Sequence, residues 1–212
     1  MTRIEGVPRS KAGPLVRLIY RVTRRKARQI AGGSRDLRLE PIEVYAHVPR
    51  LLIGYGMLEQ SVAAKPRVEE RLRALAVLKS AVMQGCEFCQ DIGSHEARRA
   101  SVTDEQLLEL HRYGDSDQFD ETERLVLDLA AGMTTTPVQV GDELFAALRE
   151  RFDDAQLVEL VNLIALENLR SRFNAAFGIG AAGFSEGQAC ARMEAAQATT
   201  EHPSDRPQRV LA

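Results

Sequence analysis

Apolar residues recur at helical spacing along most of the chain. Leu15, Leu18, Ile19 and Val22 follow the i, i+3, i+4, i+7 order. They predict a helix from Pro14 through Ile30, with Pro14 in its first turn and Gly32 and Gly33 as its stop. Pro41 opens a short helix through Ala46, and a second runs from Pro49 to about Ala63. The next spans Val68 to about Gly85, with Leu72, Leu75, Ala76, Leu78, Val82 and Met83 turned inward. A cysteine-bearing helix follows, from about Cys86 to Arg99. Thr103 and Gln106 form a capping-box pair that starts a helix ending near Gly114. Further helices are expected over about Glu121–Met133 and, after Pro137, over Gly141–Arg151. Asp153 or Asp154 caps the last long one, which contains LVELVNLIALENLRSRFNAAFG. Ser185 and Gly187 begin a final weak helix, and residues 199–212 read as a disordered tail.

Alternating, strand-like patterns are nearly absent. The expected fold is therefore all-α, a compact helical bundle around residues 68–85, 86–99 and 154–177. The chain divides into a basic N-terminal helical extension (1–38), a helical domain (39–184), and a weak helix with a disordered tail (185–212).

Composition narrows the function classes. The 212 residues are 44% hydrophobic and 27% charged, which is ordinary globular usage. The formal net charge is −2, there is no Trp, and aromatics are 5%. That balance argues against nucleic acid as a partner. No run approaches the roughly 18 apolar residues of a membrane span. The N-terminus is basic but lacks a signal-peptide core, and three cysteines are too few for a secreted disulfide scaffold. A cytoplasmic location is expected. The basic run Arg24, Arg25, Lys26, Arg28 reads as a solvated face near a helix C-terminus.

The chemistry lies in Gly85-Cys86-Glu-Phe-Cys89-Gln-Asp91. Gly85 ends one helix, and both cysteines sit in the first turn of the next. Unpaired N–H groups and the positive end of the helix dipole stabilise a thiolate there. The i, i+3 spacing puts both sulfurs on one face. A dithiol that lowers its own thiol pKa and closes reversibly is the favoured reading. Two core cysteines and a zinc site are the alternatives. Zinc needs two more ligands, for which only His95 and Cys190 offer themselves. No cofactor and no metal are called for.

With these stretches in view, the chain resembles the carboxymuconolactone decarboxylase family, in its alkylhydroperoxidase D-like branch. The resemblance rests on R-L-R-x-L-A-x-L-K ahead of G-C-E-F-C, on SVTDEQLLEL, on F-D-E-T-E-R-L-V-L-D-L-A, and on F-D-D-A-Q-L-V-E-L-V-N-L-I-A-L-E-N. It covers roughly residues 45–180. It implies an all-helical domain that assembles into trimers or hexamers. It also implies reduction of a small hydroperoxide, with Cys89 attacking the peroxide oxygen, Cys86 resolving the sulfenic acid to a disulfide, and a dithiol protein as reductant.

The chain departs from that pattern at two relay positions. Peroxidase members carry a Glu twelve residues before the first Cys and a His four after the second; here those positions are Ala74 and Gly93. His95 lies about 240° around the helix from Cys89, out of reach on the same helix. Glu70, one turn before Ala74, reads as a solvated charge. Asp91 is a candidate replacement for catalysis or a structural hydrogen-bonding group, and it points largely away from Cys89 at about 200°. Glu167, Arg170 and Asn174 share a face of an otherwise apolar helix. Glu167 is expected to pair with Arg170 or Arg172, and it is also a candidate proton relay. Without a relay, the dipole and a nearby cation such as Lys79 or an Arg would have to support the thiolate.

The leading expectation is a thiol-dependent peroxidase or disulfide oxidoreductase with Cys89, Cys86, Asp91 and Glu167 as its catalytic set. A non-catalytic oligomer serving as redox sensor or interaction module is the alternative. A lactone decarboxylase, which needs no cysteines, is the minor one. Cys190 reads as an unexceptional thiol near the tail.

Overall fold

Most helix starts are fixed by local chemistry, and these boundaries position everything else. The computed structural model describes residues 2–30 and 39–192, and the described residues are all helix and connection, with no strand. In chain order the helices are α1 Pro14–Ile30, α2 Glu40–Tyr45, α3 Pro49–Ala63, α4 Glu70–Met83, α5 Glu87–Arg99, α6 Asp104–Glu109, α7 Glu121–Thr134, α8 Asp142–Arg151 and α9 Asp154–Phe177. Thr103 and Gln106 form the expected capping box at α6. Matching boxes of Asp120 with Glu123 and Asp153 with Gln156 open α7 and α9. Each satisfies two helix-terminal N–H groups, and loss of such a cap costs about 1 kcal/mol.

Two expectations need correction. The helix from Thr103 does not continue as α-helix to Gly114: it tightens into a 3-10 turn over Leu110–Asp115. In that geometry side chains at i and i+3 eclipse, and Leu110 and Tyr113 enter the core together. The weak helix at Ser185–Gly187 is a turn, for a reason given below. In α1, Leu15, Leu18 and Val22 of the apolar row are 52%, 50% and 48% exposed, Ile19 of the same row packs against the body, and Val16, Tyr20 and Ala27 are buried. The tail at 199–212 lies outside the described residues.

α4 is the central element, packed against α5, α7 and α9. Eight of its residues are buried, including Lys79 and Ser80. One apolar cluster joins Leu72 and Ala76 of α4 to α7, α8 and α9 through Val126, Leu148 and Ile164. A second joins Leu75, Leu78 and Val82 to α5 and the 3-10 turn. Arg71 fastens the rim, with Nε 2.6 Å from buried Glu123 and Nη2 2.8 Å from Gln106. Among the described residues, no helix is long and apolar enough to cross a membrane.

Candidate active site

Gly85 has φ of 64°, the left-handed value that glycine adopts without a Cβ penalty. The Gly85 N–H donates to Val82 and the Cys86 N–H to Ala81, closing α4 and turning the chain into α5. Cys86 becomes the N-cap of α5, and its sulfur accepts from the Cys89 N–H at 3.3 Å. The two sulfurs are joined as a disulfide, and both cysteines are buried. The expected position of the pair at a helix N-terminus is therefore the observed one.

The other half of the site comes from α9. The Asn174 side-chain amide lies 3.4 Å from the Cys89 sulfur and 3.6 Å from that of Cys86. The Ser171 hydroxyl lies 3.6 Å from the Cys89 sulfur and donates to Glu167 Oε1 at 3.0 Å. Glu167 Oε2 accepts from Arg170 Nη1 at 3.0 Å. Arg170 also holds Glu59 of α3 through two bonds of 2.8 and 2.6 Å, and its Nε reaches the Tyr55 hydroxyl at 3.2 Å. A continuous chain of polar groups thus runs from Cys89 through Ser171, Glu167 and Arg170 to Glu59 and Tyr55. Tyr55 is stacked on Tyr45, which is stacked on Phe173 of α9. The stack keeps the α3 end of this network in place.

Electrostatics within the chain are uneven. Burial pushes the Glu167 carboxyl above its ordinary value, opposed by Arg170 and by the Ser171 hydrogen bond. Burial also raises the Tyr55 phenol. Burial works against the Arg170 charge, yet the Glu59 hydrogen bonds and the fields of Glu167 and Glu59 outweigh it and raise the guanidinium pKa. Arg170 stays charged.

Asp91 stands elsewhere. Its Oδ2 accepts from the N–H groups of Ala182, Gly183 and Phe184 at 2.7–3.0 Å, and its Oδ1 from Ser185 at 2.7 Å. The Ser185 hydroxyl returns a bond to the Asp91 carbonyl. Four amides converging on one carboxylate hold residues 182–185 as a turn and prevent the helix expected from Ser185. His95 bonds the Ile30 carbonyl at 2.8 Å and is half-buried. Glu70 is exposed at the start of α4. Ala74 packs on the apolar cluster of Leu75 and Leu78. A Cβ at Gly93 would lie 3.1 Å from Leu78, so packing crowds that family relay position. Lys79 faces the Tyr113 ring and the Leu110 carbonyl, and Cys190 lies beside Ser94. The cation of the network is Arg170, not Lys79. Among the described residues no group of three or more His, Cys, Asp or Glu forms a metal-binding set.

An open cavity of about 630 Å³ adjoins the dithiol. The segment around Thr2–Gly6, Glu40 and Glu43 of α2, Gly85–Glu87 and residues 178–181 line it. Cys86 is a lining residue and Cys89 is not.

Sequence reasoning picked out Glu167, Arg170 and Asn174 but missed Ser171, which stands one turn after Glu167 on the same face. It also missed Tyr55 and Glu59, more than 100 residues away in sequence. For Ser171 a signal existed in the i, i+4 spacing from Glu167. For the α3 pair none did.

The carboxymuconolactone decarboxylase family model matches residues 49–132. The uncharacterized protein YnjA of Escherichia coli is 34% identical over 149 residues, spanning 68% of this chain and 80% of its own length. An uncharacterized peroxidase-related protein of Ralstonia eutropha JMP134, described as an alkylhydroperoxidase AhpD core, superposes with a TM-score of 0.69 at 17% identity, over 84% of this chain and 90% of that one. The debrominase Bmp8 in complex with 2,3,4-tribromopyrrole gives the same TM-score at 24% identity, again over 84% and 90%. These two structures agree with this one in fold.

Proposed function

Because the chain belongs to the carboxymuconolactone decarboxylase family and has an alkylhydroperoxidase D-like all-helical fold, we propose that it is a thiol peroxidase that reduces small hydroperoxides. The observation that carries this reading is the run from the Cys89 sulfur through Ser171 to Glu167. It supplies from α9 the proton route for which the Ala74 and Gly93 positions have no groups.

In the reduced state the Cys89 thiol passes its proton to Ser171 as Ser171 passes its own to Glu167. The raised Glu167 pKa suits that task. The thiolate is held by the Asn174 amide, the Ser171 hydroxyl and the α5 N-terminus. It attacks the terminal hydroperoxide oxygen: the S–O bond forms, the O–O bond breaks, and Cys89 becomes a sulfenic acid. The alkoxide takes the proton returned through Ser171 from Glu167. The Cys86 thiol then displaces hydroxide from the sulfenic acid, giving the disulfide and water. A dithiol protein returns two electrons. Its thiolate meets Cys86 first, since that residue lines the cavity, and Cys89 leaves as the better stabilised thiolate. Asp91 has a positioning role, holding the 182–185 turn, and takes no part in proton transfer. A cytoplasmic setting keeps such a dithiol supplied with electrons.

The same reading includes assembly with further copies of the chain. α3 buries only Leu52, while Leu51, Met57 and Leu58 are exposed, Met57 by 67%. Exposed apolar side chains on a helix that also carries Tyr55 and Glu59 suit contact with a second copy. Light scattering is expected to show an oligomer that Met57→Glu weakens; a monomer at micromolar concentration contradicts this part.

The test of function is consumption of tert-butyl hydroperoxide with a dithiol reductant. Cys89→Ser is expected to abolish it, and Cys86→Ser to leave a single stoichiometric turnover. Absence of consumption by the wild-type chain, fully reduced at the start, contradicts the proposal.

A further inference from the structure

The outward row of α1 is unused by the site described above. Leu15, Leu18 and Val22 are about half exposed, although the helix has a buried face on its other side. Six basic residues lie on the same helix and no acidic one. Arg17 is turned to the Ala12 carbonyl, and Arg24 pairs with Glu43. Arg21, Arg25, Lys26 and Arg28 are exposed. At 100° per residue, Leu18, Val22 and Leu15 occupy one narrow strip. Arg25, Arg21 and Arg28 follow along one edge of that strip, and Lys26 stands on the other. An open cavity of about 480 Å³ lies among Arg9, Tyr20 and the arginines of α1. All this belongs to a chain whose formal net charge is −2.

We infer that α1 is a docking face for the surface of an anionic lipid bilayer. Leu15, Leu18 and Val22 enter the boundary between headgroups and acyl chains, and the flanking arginines and Lys26 meet lipid phosphates. Charge complementarity alone fits any polyanion. The exposed leucines decide for the bilayer, because nucleic-acid phosphates offer no apolar layer beside the charges, whereas a lipid interface offers both together. The helix remains packed on the body through Val16, Tyr20 and Ala27, so the whole molecule is carried to the surface. Nothing in this inference depends on the chemistry of the dithiol.

Sedimentation of the full chain with vesicles tests it, comparing phosphatidylcholine alone with phosphatidylcholine containing phosphatidylglycerol. At least tenfold more protein is expected on the anionic vesicles, with a large loss in 0.5 M salt, since salt screens such attraction. Leu18→Glu with Val22→Glu, and separately Arg21→Glu with Arg25→Glu, are each expected to reduce binding at least tenfold. Because these side chains are exposed, both variants are expected to melt as the wild type does. Equal sedimentation with neutral and anionic vesicles, or none with either, overturns the inference. Duplex DNA binding that survives the Leu18 and Val22 changes, with no vesicle binding, assigns the face to nucleic acid instead. A change of oligomeric state in the Leu18 and Val22 variant, again without vesicle binding, assigns it to a second copy of the chain.

Discussion

Asp91 and Glu167 are two buried carboxylates on the helices that meet at the dithiol, yet their surroundings make them different devices. Asp91 faces backbone: four N–H groups from residues 182–185 fill its oxygens. That carboxylate only accepts bonds from the backbone, and it serves as a latch. Glu167 faces side chains: a hydroxyl that also reaches Cys89, and a guanidinium shared with Glu59 and Tyr55. A hydroxyl can accept and donate at once, so on the proposed reading this carboxylate takes part in proton transfer. On the proposed reading, what a buried acid faces, more than its distance along the chain from the cysteines, decides what it does. Asp91 is two residues from Cys89 and Glu167 is seventy-eight.

Substitutions at the two positions should therefore separate stability from activity. The largest effect is expected on activity at Glu167. Glu167→Gln keeps the shape and the Arg170 neighbour but cannot take up and release a proton, and a fall in kcat/KM of about 100-fold is expected, within the usual range for acid–base catalysis. The steady-state peroxidase assay across pH checks this, and an unchanged rate would place Glu167 with Asp91 as a purely structural group. At Asp91 the effect should fall on the fold. Asp91→Ala leaves four amides without their acceptor, and a loss of about 3 kcal/mol is expected, because the 182–185 turn can open to water and limit the cost. In a chain of this length that lowers the melting temperature by about 6–12 °C, measurable by circular dichroism, with the remaining folded protein still active. The smallest effect concerns pH. The folded-state pKa of Glu167 is raised above its ordinary 4.5. Its contribution to stability is therefore full below about that pH and is lost as pH rises through the folded value. Denaturant melts should show this decline in the wild type and a flatter curve in Glu167→Gln.

The two regions also differ in how far the sequence revealed them. Gly85, Cys86 and Cys89 are neighbours in the chain, and their cap geometry follows from residue type, so this part was legible. So were the capping box at Thr103 and, short of the choice between Asp153 and Asp154, the N-cap of α9. The α9 contribution was half legible: Glu167, Arg170 and Asn174 announce a polar face on an apolar helix, but what that face meets depends on how α9 crosses α5. Glu59 and Tyr55 depend on the packing of α3, which carries no local signature of its partner. α1 was legible as a helix only: Ile19 of its apolar row packs on the body along with Val16, Tyr20 and Ala27, while Leu15, Leu18 and Val22 stay exposed. Periodicity identified the helix without identifying which side the body would cover.

The central claim is that Glu167, acting through Ser171, governs the ionisation of Cys89. The most direct test is the pH dependence of the alkylation rate of the two reduced cysteines, followed by mass spectrometry in the wild type and in Glu167→Gln. The account predicts a Cys89 thiol that titrates below the ordinary value of about 8.5, with Cys86 less perturbed and the Cys89 profile displaced when Glu167 is replaced. Two cysteines titrating alike near the ordinary value, or a Cys89 profile that Glu167→Gln leaves unmoved, would contradict it.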